Sequence, residues 1–206
     1  MKLNTFLSQR MPAGLFALGF LFLAGCSSQR FYANYYIDPK PPRASYSDLV
    51  EPATPKAVYL VFDMYSAEGA FPEATRRIGP KVFNVLESSK LFSSVSKVGS
   101  ENIARIQISM RESAVLSGHE TKSLPPGLTS GLSGSRGAIA YTFTAQYQPP
   151  GKEVVKKIYP HAVHIVEGTS PALGEALPMT GSHAVDVMVE QVVLNFLRDL
   201  QKERKL

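Results

Sequence analysis

Val185, Met188, Val189, Val192, Val193, Phe196, Leu197 and Leu200 recur at intervals of three and four residues. That spacing gathers them along one side of an α-helix. A stripe so wide is a core-facing surface, so the chain must supply a second layer broad enough to cover it. Thr180 or Ser182 can cap the start of the helix. Asp186 stands early and Arg198, Lys202, Arg204 and Lys205 late, an order of charge that complements the helix dipole.

The second layer is legible as alternation. The run "IARIQISMR" (103–111) sets Ile106, Ile108 and Met110 against Arg105, Gln107, Ser109 and Arg111. It predicts a strand with one covered face and one polar face. "AIAYTFTAQY" repeats the pattern through Ile139, Tyr141, Phe143, Ala145 and Tyr147. Pro149-Pro150-Gly151 signals a turn, and "KEVVKKIYPHAVHIV" reads as the returning strand, broken or bent at Pro160. "AVYLVFDMY" (57–65) is apolar on both faces except at Asp63, as a central strand is; "LFSSVSKV" predicts a shorter one. Pro72 opens a second helical pattern through Ala74, Ile78, Val82, Val85 and Leu86, which Gly79-Pro80 is expected to kink or interrupt. The order of elements predicts an α+β fold over residues 57–206: a two-layer sandwich, a mostly antiparallel sheet with two amphipathic helices on one face.

The stretch "LFLAGCSS" contains the sole cysteine, Cys26. Residues 1–12 carry Lys2 and Arg10 and no acid, residues 13–24 are uncharged and mostly apolar, and the small Ala24 and Gly25 precede Cys26. This is the layout of a secretory signal peptide, expected over residues 1–25, with an apolar core short of the roughly 20 residues of a membrane span. Leu23-Ala24-Gly25-Cys26 resembles the bacterial lipobox. The resemblance implies a diacylglyceryl group on the Cys26 sulfur, cleavage before Cys26, and acylation of the new amino group. Inner-membrane lipoproteins often carry Asp where this chain has Ser27, so the resemblance implies the outer membrane, facing the periplasm. Each buried methylene contributes about 0.8 kcal/mol, so two or three chains on one residue hold durably. With Cys26 used for attachment no thiol remains for a disulfide, and the fold must stand on its core.

Lys2 and Arg10 leave with such a leader, so 20 of the 22 basic residues remain against 17 acidic ones. An excess this mild argues against a nucleic-acid surface. Residues 26–56 hold prolines at 39, 41, 42, 52 and 55 and no apolar period for a long helix. They read as an extended tether, able to reach on the order of 100 Å fully stretched and roughly 30 Å as a coil. Phe31, Tyr32, Tyr35, Tyr36 and Tyr46 are an odd cargo for a spacer. Either the rings pack on the domain or the bilayer interface, or Tyr32, Tyr35 and Tyr36 belong to a docking strip for a partner. In element order, lipobox and Pro-rich tether, the chain resembles a group of small periplasmic modules. The group includes the N-terminal domain of the translocation protein TolB, lipoprotein activators of penicillin-binding proteins, and the lipoprotein of the Pel polysaccharide exporter.

Chemical motifs are sparse. The loop "SLPPGLTSGLSGSRGAIA" carries Gly127, Gly131, Gly134 and Gly137 but lacks the Gly-Lys-Ser/Thr ending of a phosphate-binding loop. In "GLTSG" Thr129 occupies the place of a nucleophilic serine. His161 and His164 are three apart on a predicted strand and so point to opposite faces; His119 and His183 stand alone. Nothing in the sequence pairs Glu112, Glu120, Glu153 and Glu167, and Asp63 is the most unusual acid. No cofactor or metal site is expected. The expectation is a non-enzymatic accessory or adaptor, membrane-attached through Cys26. It would serve an envelope protein partner in cell-wall synthesis, polysaccharide export or secretion. The glycine loop and the tether tyrosines are the candidate contact residues. Two alternatives stay open: a peptidoglycan hydrolase whose site only the fold assembles, and a self-associating ring subunit.

Overall fold

The two alternating runs become long neighbouring strands in the middle of a seven-stranded sheet. A computed structural model describes residues 33–39, 41–117, 136–167 and 178–206. In chain order the elements are β1 (Ala33–Ile37), β2 (Lys56–Ser66), β3 (Gly69–Ala70), α1 (Pro72–Ser88), β4 (Phe92–Ser96), β5 (Ala104–Ser117), β6 (Arg136–Gln148), β7 (Val155–Glu167) and α2 (Gly181–Lys202). The sheet runs β1-β7-β6-β5-β2, and the outer side of β2 is met at its start by β4 and at its end by β3. β2 is parallel to β4 and β5, as the α1 crossover requires; the other pairings are antiparallel.

The register stacks the apolar positions into rows: Leu60 beside Ile106 and Tyr147, Met64 beside Met110 and Phe143. Over these rows lie Ala74, Ile78, Val82, Val85 and Leu86 of α1 and the buried side of α2. Phe143, Ile106, Ile108, Met110 and Phe196 are wholly enclosed, each contributing about 1.5–3 kcal/mol by leaving water. The molecule is thus a two-layer α+β sandwich with both helices on one face of the sheet.

Three local expectations are corrected. The segment read as a tether joins the domain at Ala33: β1 pairs with β7 from Ala33↔Glu167 to Ile37↔Val163. α1 continues through Gly79-Pro80 without interruption. Proline removes one hydrogen bond to the preceding turn, but Pro80 faces solvent while buried Ile78 and Val82 hold the turns on either side. β7 likewise runs unbroken through Pro160, opposite Thr142. Asp38 N–H donates to the Ala162 carbonyl at 3.0 Å, so Pro160, two residues earlier, turns its backbone to the same side, where β1 has already ended. An edge position is where a strand tolerates the missing donor.

Candidate functional site

After β1 the chain does not swing free but crosses α2 as a strap. Tyr35 exchanges backbone hydrogen bonds with Met179 (3.1 and 3.0 Å), which covers the outer edge of β1. Asn195 Nδ2 donates to the Pro42 carbonyl at 2.6 Å. A short 3-10 turn over Tyr46–Asp48 follows, closed by Ser45 N–H donating to Asp48 Oδ2 at 2.7 Å. The Ser45 donors hold the Asp48 carboxyl below its ordinary value. Gln201 then clasps Val50 with both ends of its amide, donating to the Val50 carbonyl and accepting from the Val50 N–H. Lys81 of α1 meets Glu190 of α2 at 2.7 Å. α2 is buried beyond its apolar stripe, with Gln191, Leu194 and Asn195 enclosed as well; the strap covers Asn195 through Pro42, while Gln191 faces His161 of β7.

Beneath the strap lies a cavity of about 420 Å³ between Pro41, Pro42, Tyr159, Pro160, Val192 and Arg198. Tyr159 hydroxyl donates to Asp199 Oδ2 at 2.8 Å, and burial, then this bond, pushes the phenol far above its ordinary value. His161 is only 4% exposed. Its Nδ1 accepts from the Ala162 N–H at 2.9 Å, and its Nε2–H faces Gln191 Oε1 at 3.3 Å. Burial draws His161 below its ordinary value, so the ring is neutral and serves as a core hydrogen-bonding group. Asn195 Oδ1 and Arg198 Nε are buried with no hydrogen-bond partner among the described residues.

A second concavity, about 890 Å³, opens at the end of the sheet where β6 turns into β7. That turn is tied by Lys152 N–H to the Pro149 carbonyl at 3.2 Å, with Gly151 in the left-handed region at φ +65°. Pro55, Pro149 and Pro150 form flat walls, and Lys56, Lys152, Arg204 and Lys205 face it with a single carboxylate, Glu153. The four cations are exposed, and none forms an ion pair among the described residues. The cleft is strongly basic, whereas the whole chain is only mildly so.

The residues singled out in sequence fall apart in space. Cys26, Tyr32, Gly127, Gly131 and Gly134 lie outside the described residues. Tyr36, offered as a docking ring, is 2% exposed within β1, so the domain itself encloses it. Tyr35 packs against the first turn of α2, where a Cβ on Gly181 would come within 3.1 Å of its ring. Gly137 belongs to β6, between Ser117 and Ile165, rather than to a loop. Glu112 in β5 and Glu153 beyond the other end of β6 are far from pairing. His161 and His164 point to opposite faces of β7, and among the described residues no cluster of three or more His, Cys, Asp or Glu could hold a metal ion. The basic cleft was not foreseen. Its cations come from three separate stretches of chain, and no local signal shows that they converge.

No family model matches the chain, and no curated protein does. Among solved structures it is similar to a minor lipoprotein from Acinetobacter baumannii at 11% identity, over 72% of this chain and 94% of that one, with a TM-score of 0.36. It is similar to rare lipoprotein B from Shewanella oneidensis at 10% identity, over 71% and 92%, with a TM-score of 0.34. A dodecamer of PelC from Paraburkholderia phytofirmans is matched at 14% identity, over 81% and 99%, with a TM-score of 0.35. Two of the three are lipoproteins by name.

Proposed function

We propose that the protein is an outer-membrane lipoprotein facing the periplasm, a non-enzymatic accessory that presents its domain to a partner in an envelope assembly. Cell-wall synthesis, polysaccharide export and secretion are the assemblies that fit. One observation carries the reading: β1 begins at Ala33, seven residues after Cys26. Seven residues span at most about 25 Å, so an acylated Cys26 keeps the domain close to the bilayer instead of on the long tether first expected. On this reading the strand also sets which end of the domain faces away from the bilayer. Ala33 lies beside Glu167 at one end of β7, and the basic cleft lies at the other, about 40 Å away along thirteen residues of strand.

The mechanism is positional. The lipid fixes one end, the sheet acts as a rigid spacer, and the far end is offered to the periplasm at a raised effective concentration. The test has two readouts. Cells fed a labelled fatty acid incorporate it into the native chain and not into Cys26→Ala. In-cell crosslinking then enriches one envelope protein from acylated cells, and not from cells exporting Cys26→Ala behind a replacement leader. Label retained by Cys26→Ala overturns the anchor, and equal enrichment from both overturns the positional mechanism.

A further inference from the structure

We infer that the basic cleft between the β6–β7 turn, the start of β2 and the turn after α2 is a binding site for an acidic polysaccharide. Lys56, Lys152 and the adjacent Arg204 and Lys205 project from three separate elements, with only Glu153 against them. Charges arrayed like this attract a ligand whose own charges repeat along a chain. Lysine is a point charge without the planar fork that grips a single carboxylate, so three lysines and one arginine spread about a cleft suit spaced carboxylates. The flat faces of Pro55, Pro149 and Pro150 complement the C–H faces of sugar rings. At about 890 Å³ the cleft falls within the size range of small-ligand sites.

A second observation is independent of charge. α2 ends in a Schellman turn: Lys205 N–H reaches the Leu200 carbonyl and Arg204 N–H the Gln201 carbonyl, each at 2.9 Å. The residue that must turn left-handed in this motif is usually glycine, yet here it is Arg204, at φ +55°. A side chain in that region is strained, and strained positions cluster where a side chain has work to do. The turn folds Arg204 and Lys205 back to the rim of the cleft. Lys90, after α1, takes the same conformation at φ +57° away from the cleft, so what bears on binding is where Arg204 stands: glycine there would ease the turn and remove a cation from the rim.

The periplasmic source of such a glycan rests on the lipoprotein reading, but the cleft chemistry can be tested on the purified full chain in detergent, acylated or not. Titration with a short oligogalacturonate should give binding that weakens with added salt, while neutral dextran gives none. Lys56→Gln combined with Lys152→Gln should weaken binding by about tenfold. Arg204→Gly should also weaken it while raising the thermal midpoint by about 2–4 °C, a pairing that damage to the fold cannot produce. The site is overturned if the lysine variants bind as the native chain does, or if dextran binds equally. Tighter binding of poly-glutamate than of oligogalacturonate would overturn it too, and would give the cleft to an acidic protein segment.

Discussion

His161 shows how a residue of catalytic type is taken up by structure. Its ring is neutral because burial disfavours the charged form, and the facing charges, Asp38 and Arg43, act in opposite directions. The folded value is depressed, so the unfolded chain binds the extra proton first. The stability contribution is complete above the unfolded value of about 6.5 and is lost as pH falls through the folded value. The thermal midpoint of the native chain should therefore drop between about pH 7.5 and pH 5.5. His161→Gln, which keeps a hydrogen-bonding side chain, should show a shallower drop. Thermal scans at both pH values check this, and parallel slopes would remove His161 from the acid response. Asn195 is the opposite kind of residue. One end of its amide ties down Pro42 while Oδ1 is buried unpaired, and such a half-satisfied group marks where strap and helix are least tightly matched.

Among the elements, α1 makes the sharpest prediction. Gly79 sits in mid-helix, where glycine weakens a helix by roughly 0.5–1 kcal/mol relative to alanine. Outside its chain neighbours a Cβ there would meet only Phe62 Cδ1 at 3.6 Å, an ordinary contact, but Pro80 follows, and its Cδ crowds a Cβ on a helical residue before it. Gly79→Ala alone should therefore give no gain, whereas Gly79→Ala combined with Pro80→Ala should raise the midpoint by about 2–4 °C, measured by thermal and denaturant unfolding. The elements also show what a sequence can and cannot announce. α2, β5 and β6 were legible because their periodicity is long and each buries one clean face. β1 was not: five residues, "ANYYI", among prolines are too short to show a period, and their pairing with β7 is a contact across more than a hundred residues. Pro80 and Pro160 were over-read as breaks. Tertiary packing outweighs the local penalty at Pro80, and the end of β1 removes the partner that Pro160 would otherwise deny. The Pro149-Pro150-Gly151 turn and the adjacent Arg204 and Lys205 are local, but their meeting with Lys56 in one cleft is not, and only the folded chain brings them together.

The whole molecule is polar in direction. On the lipoprotein reading, Ala33 marks the bilayer end and the β6–β7 turn the periplasmic end, about 40 Å apart. Cys26 is the sole native cysteine, so an introduced thiol can be labelled alone once Cys26 is acylated. In vesicles, a fluorophore on Asn34→Cys should be quenched strongly by a lipid-borne quencher, and one on Lys152→Cys hardly at all. Equal quenching at both positions would mean that the domain lies flat on the membrane.

The pairing of β1 with β7 has a mechanical consequence. A partner that drags on the far end of a lipid-held domain loads the chain at Ala33, along the axis of β1. The rungs from Ala33↔Glu167 to Ile37↔Val163 then share the load side by side, as in a lap joint, instead of opening in succession like a zipper. The strap's clasp on α2 comes later in the chain and feels tension only after those rungs slip together. The strand that sequence took for slack is the coupling through which this domain can be pulled without being unravelled.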